Sequence, residues 1–159
     1  MLDTIIEDSA TEEVFNADSE EDMPTFNHSN LCADIMEQIW ETRTFKPLPE
    51  LTLDIGKGIT PDISVYLRER MKPDYWHDVV RYSEMPILAI EVVSPSQGVQ
   101  GLVEKAEMLL ANGVKAVWVV EPVTKSIVVA TAQGKQALQN QEVESEGIKV
   151  DFRKIFGVG

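Results

Sequence analysis

Apolar side chains recur every four residues at Leu31, Ile35 and Ile39, with Cys32, Met36 and Trp40 beside them. That spacing lines one face of a helix with 3.6 residues per turn and predicts an amphipathic helix over residues 28–44. Asn27 or Ser29 is suited to cap it, and Lys46-Pro47-Leu48-Pro49 to end it. The period then changes. Glu50–Asp54 and Asp62–Leu67 alternate polar and apolar, as half-buried strands do, with Gly56-Lys57-Gly58 as a tight turn between them. Residues 50–67 therefore read as a hairpin. A loop from Arg68 to Met85 leads to Ile87–Val93, apolar on both faces except at Glu91, which predicts a central buried strand. Val99, Leu102, Val103, Ala106, Leu109 and Leu110 form a helical stripe, with Gly113 placed to end the helix. Val117–Val120 predicts a second buried strand and Ser126–Thr131 its return. Weaker strand segments follow near Gln136–Leu138 and Glu142–Val143, then a short amphipathic closing piece over 150–156.

The expected order is helix, three strands, helix, strand, strand extension. Consecutive strands start the sheet antiparallel, while the helix over 99–112 makes a right-handed crossover that sets Val117–Val120 parallel to the Glu91 strand. This is an α/β mixed sheet with a helix on each face.

Charge divides the chain of 159 residues, whose formal net charge is −13. Residues 1–23 hold nine acids and no base, and the remaining 136 residues carry a net charge of −4. The expectation is an acidic, solvated leader over 1–23 and one domain over 24–159. Such a balance argues against non-specific coating of nucleic acid through a large basic surface. The N-terminus lacks the basic and apolar regions of a secretory signal, and no apolar run approaches the ~18 residues needed to cross a membrane. Cys32, the only cysteine, excludes an internal disulfide and a cysteine-based zinc site of the kind built from several thiolates, so a reducing cytoplasm is expected.

The candidate chemistry starts at Glu91. A carboxylate in an apolar strand is costly to ionise without a metal, a cation or hydrogen-bond donors. Asp62 opens the preceding strand after Pro61. It projects opposite to Ile63, Val65 and Leu67, so the two carboxylates can meet at the strand ends. Paired hard oxygens suit Mg²⁺ or Mn²⁺. Lys105 lies about 60° from Leu102 and about 40° from Leu109 around its helix, at the edge of the buried stripe, where a long stem can carry its ammonium to the carboxylates. His28 shares a face with Leu31 and Ile35 and reads as packed or capping rather than as a ligand. In the loop, Arg68, Arg70, Lys72 and Arg81 interleave with Tyr75, Trp76, His77 and Tyr82. Glu69, Asp74, Asp78 and Glu84 cancel the charge, so an ordinary packed loop is expected rather than a nucleic-acid face.

Several stretches together carry a resemblance: TPDISVY at 60–66, IEVVSPS at 90–96, Lys105, and NGVKAVWVVEP at 112–122, with FNHS at 26–29 and VDFRKIF at 150–156. They resemble the PD-(D/E)XK nuclease superfamily and, within it, the putative restriction endonuclease family Uma-two, abundant in cyanobacteria. The resemblance implies a restriction-endonuclease-like α-β-β-β-α-β core. It also implies a divalent-metal phosphodiesterase site with Asp62 and Glu91 as metal ligands. The superfamily's lysine, two residues after the glutamate, is Val93 here; the resemblance implies that Lys105 on the following helix replaces it. Where the family often has Asp four residues before this lysine and Tyr four after, this chain has Gly101 and Leu109. The superfamily's first-helix acid is left open between Glu37 and Glu41, with Glu50 also near.

The expected function is Mg²⁺- or Mn²⁺-dependent cleavage of DNA by a homodimer, through Asp62, Glu91 and Lys105. The alternative is a non-catalytic binding or assembly module that keeps the fold.

Overall fold

A computed structural model describes residues 23–157. Apart from Met23, the acidic leader lies outside the described residues. Helix α1 spans Phe26–Glu41. Its cap is Thr25 rather than Asn27 or Ser29: the Thr25 hydroxyl accepts from the His28 N–H at 3.2 Å. Strands β1 (Phe45–Pro49), β2 (Ile63–Leu67) and β3 (Leu88–Val92) follow, then α2 (Val99–Ala111), β4 (Ala116–Glu121), β5 (Ser126–Thr131) and β6 (Gly134–Gln139). A separate pair, β7 (Glu142–Ser145) and β8 (Ile148–Asp151), leads into a short helix α3 (Phe152–Phe156).

The six-stranded sheet has the order β1-β2-β3-β4-β5-β6 and is antiparallel except between β3 and β4. The α2 crossover joins that parallel pair, as expected. One face buries Ile63, Val65, Leu88, Ile90, Val92 and Trp118 against Leu31, Ile35 and Ile39 of α1. The opposite face buries Ala89 and Val117 against Ala106 and Leu109 of α2, with Leu53 and Ile55 closing the side.

Four expectations are corrected. The first strand of the 50–67 hairpin is not 50–54 but β1, paired from Phe45↔Leu67 to Pro49↔Ile63. In the sequence its prolines read only as a helix stop. An edge strand tolerates them because one side of its ladder has no partner for the missing N–H groups. Residues 50–62 are instead an excursion over the α2 face, turned back by a bridge between Leu53 and Ile59, with Gly56 and Gly58 at positive φ. Second, the segment near Glu142 does not extend the main sheet but starts the β7–β8 pair, while Gln136–Leu138 does lie in edge strand β6. Third, the piece over 150–156 divides into the end of β8 and α3, with the Asp151 side chain capping the helix. Fourth, the β2–β3 loop is not packed at its tip. Tyr75 and Trp76 are both 93% exposed, and Val79 and Val80 stand out beside them. Of its cations, Arg70 pairs with Glu84 inside the loop, while Arg81 pairs with Asp54 outside it; the His77 ring contacts Asp74.

Candidate functional site

The site forms where the β2–β3 ladder ends. Its last pair is Ile63↔Ile90, both in the α1-side core. One step further, the same register sets position 62 opposite 91 on the α2 side of the sheet. The strands part there. The Val92 N–H, left without a ladder partner, donates to Asp62 Oδ2 at 2.7 Å. The chain order therefore brings the two carboxylates close enough for the Asp62 charge to act on Glu91.

Glu91 is 2% exposed, one residue before the end of β3. Helix α2 crosses over it, and Lys105 brings its Nζ to 2.7 Å from Glu91 Oε1. The ammonium also donates to the Thr60 carbonyl at 3.0 Å, which fixes it across the excursion, β3 and α2. Its short charge-assisted contact with Oε1 is what partners the buried oxygen. Burial pushes the Glu91 carboxyl up to about 7; Lys105 opposes that rise and the nearby Asp62 charge adds to it. Val93, at the superfamily's usual lysine position, packs with Leu102 and Val119. That packing leaves the cation to come from the helix. Lys105 is 28% exposed, at the edge of the stripe as its helical angle predicts.

Asp62, Glu91 and Lys105 are thus brought together. Glu37 and Glu41 are not: both are exposed on α1. Glu50 is exposed, yet its charge reaches the site and helps raise the Cys32 thiol. Leu109 is core, and Gly101 sits at the surface, where an added Cβ meets nothing within 4 Å.

Two functional candidates escaped the sequence reading. His28 does more than pack: its Nε2 lies 3.1 Å from Asp62 Oδ2. Cys32 follows one turn later, with Sγ 4.0 Å from His28 Nδ1. Burial, followed by the charges of Asp62, Glu91 and Glu50, pushes its thiol up to about 12. The available signal was their separation of four residues, which stacks two potential ligands on one helix face. A cavity of about 810 Å³ is walled in part by His28, Val93 and Ser94. Another of about 510 Å³ is walled by Thr60, Gly101 and Lys105 among others. Neither wall includes Asp62 or Glu91.

Among the described residues, no helix is long and apolar enough to cross a membrane. No curated protein sequence matches the chain. Among solved structures, the chain is similar to a putative nuclease of family DUF820 from Anabaena variabilis ATCC 29413, at 20% identity and TM-score 0.72, over 84% of this chain and 82% of that one. At that identity the likeness concerns the fold. A weaker similarity, TM-score 0.44 and 12% identity, is to the DrdV–DNA complex, over 65% of this chain and 9% of that one. The model of the family Uma2, described as putative restriction endonuclease, matches residues 13–158. With the helix-flanked mixed sheet and the shared fold, that match means the chain belongs to the Uma2 family.

Proposed function

We propose that the protein is a divalent-metal-dependent endonuclease that hydrolyses DNA phosphodiester bonds, with Asp62 and Glu91 holding Mg²⁺ or Mn²⁺ and Lys105 beside the reacting groups. The observation that carries this reading is the buried Glu91 carboxylate at the cross-strand position facing Asp62, close enough for the Asp62 charge to act on it. Carboxylate oxygens are the donors these hard cations take, and two neighbouring carboxylates, one of them buried, gain from one. The family's description supports the substrate class.

When bound, such an ion lowers the pKa of a coordinated water and polarises a phosphoryl oxygen. The chain's own residues do the rest. The Val92 N–H and the His28 ring hold Asp62 Oδ2, which fixes the orientation of the carboxylate. The Lys105 ammonium, tethered to the Thr60 carbonyl, has donors to orient an attacking water or to offset charge growing on the phosphate. A twofold dimer would offer one site to each strand of a duplex.

A second reading has its own observation. Lys105 already neutralises part of the Glu91 charge, so the pair can be complete without a metal and the fold can serve as a non-catalytic binding or assembly module. Plasmid nicking, with calorimetric titration of Mg²⁺ and Mn²⁺, separates the two. The enzyme reading expects metal-dependent nicking that falls by about 100-fold or more in Asp62→Ala, Glu91→Ala and Lys105→Ala. Metal binding should weaken in the first two and survive in the third. Absence of metal binding at millimolar concentration refutes it and favours the module.

A further inference from the structure

Asp62 has two different surroundings. On the α2 side it faces Glu91, a second hard carboxylate. On the α1 side it meets an imidazole and a thiol, one helical turn apart. His28 Nε2 is 3.1 Å from Asp62 Oδ2, Cys32 Sγ is 4.0 Å from His28 Nδ1, and one donor atom from each of the three residues lies within 4.8 Å of the others. Among the described residues no other trio of His, Cys, Asp or Glu converges this closely. The three side chains are all half-buried, and the carboxylates of Asp62, Glu91 and Glu50 all act on the thiol, so the pocket is electronegative.

We propose that His28, Cys32 and Asp62 form a second cation site that takes a borderline-soft divalent ion of the Zn²⁺ class, sharing Asp62 with the hard-oxygen pair. One nitrogen, one sulfur and one oxygen make a ligand set that Zn²⁺ accepts and Mg²⁺ does not, and three protein ligands leave a fourth position open. Tetrahedral bonds of about 2.0–2.3 Å set donor–donor edges of roughly 3.3–3.7 Å. The separations present, from 3.1 Å up to 4.8 Å, bracket that range. The ion would bridge the His28 ring and the Asp62 carboxylate, and Cys32 closes in as the third ligand, releasing its thiol proton to solvent. Two ligands come from one rigid helix turn, so the set needs little backbone rearrangement. Zinc on this side draws on the carboxylate that magnesium would use on the other. That competition rests on the proposed hydrolytic reading; the binding itself does not.

The test uses the full chain under reducing conditions, with Co²⁺ as the spectroscopic probe. One equivalent should produce a thiolate-to-cobalt charge-transfer band that Zn²⁺ displaces. Cys32→Ser should lose the band, and His28→Ala should weaken Co²⁺ binding at least tenfold. Zn²⁺ should raise the unfolding temperature of wild type but not of Cys32→Ser, whose metal-free unfolding should match wild type. Glu91→Gln should keep the band even though it removes a ligand of the proposed magnesium site, so failure of one reading is visible apart from the other. In nicking assays Zn²⁺ should inhibit wild type and spare Cys32→Ser. A wild type with no charge-transfer band, a band that persists in Cys32→Ser, or one lost equally in Glu91→Gln overturns the proposal.

Discussion

Replacing Glu91 with Gln changes one atom in a residue that is 2% exposed, and its effect on stability follows from the site's electrostatics. The carboxyl titrates near 4.5 in a solvated chain and at about 7 in the folded site, because burial outweighs the Lys105 attraction. The folded state therefore binds the proton more tightly than the unfolded state. Below pH 4.5 both states hold it and nothing is lost. As pH rises, the unfolded chain ionises first, and stability falls until the folded group has ionised too, above pH 7. The gap corresponds to roughly 3 kcal/mol. Glu91→Gln is neutral throughout and lacks that loss. The two proteins should be similarly stable near pH 4.5, and at pH 8 the variant should be the more stable, by an unfolding temperature on the order of 10 °C higher. Urea unfolding across this pH range, wild type against variant, isolates the term because every other group is common to both. Added Mg²⁺ at pH 8 should restore about 2.7 kcal/mol to wild type at a hundredfold excess over its Kd and nothing to the variant. Parallel pH–stability curves for the two proteins would refute the reasoning: Glu91 would then carry no buried charge penalty.

The surface and helix substitutions follow from packing. Gly101→Asp should raise the unfolding free energy by a few tenths to about 1 kcal/mol by chemical denaturation, because the added Cβ meets nothing and an acid in the first turn of α2 favours the helix dipole. The double change Tyr75→Ser and Trp76→Ser should alter the unfolding midpoint by less than about 0.5 kcal/mol, since both side chains are 93% exposed; a larger loss would mean that the loop tip is packed.

The local periods along the chain determined most of its elements. The four-residue recurrence at Leu31, Ile35 and Ile39 and the stripe from Leu102 to Leu109 are properties of single helices. Ile87–Val93 carries its burial in its own composition, and a helix between two apolar strands was enough to make β3 and β4 parallel. Glu91 stood out for the same reason, as one acid among apolar neighbours. Register and edges were beyond such patterns. Pro47 and Pro49 look like a helix stop until the fold leaves one side of β1 without a neighbour. The exposed Tyr75 and Trp76 look like core, because hydrophobicity alone does not say which surface a loop meets. The pairing of Asp62 with Glu91 depends on where a ladder between distant segments ends, and the contact of His28 and Cys32 with Asp62 on how α1 lies across the sheet. Periodicity is set by backbone geometry within a few residues and is written locally. Convergence of side chains this far apart in the chain is set by how the packed layers meet, and only the tertiary structure decides it.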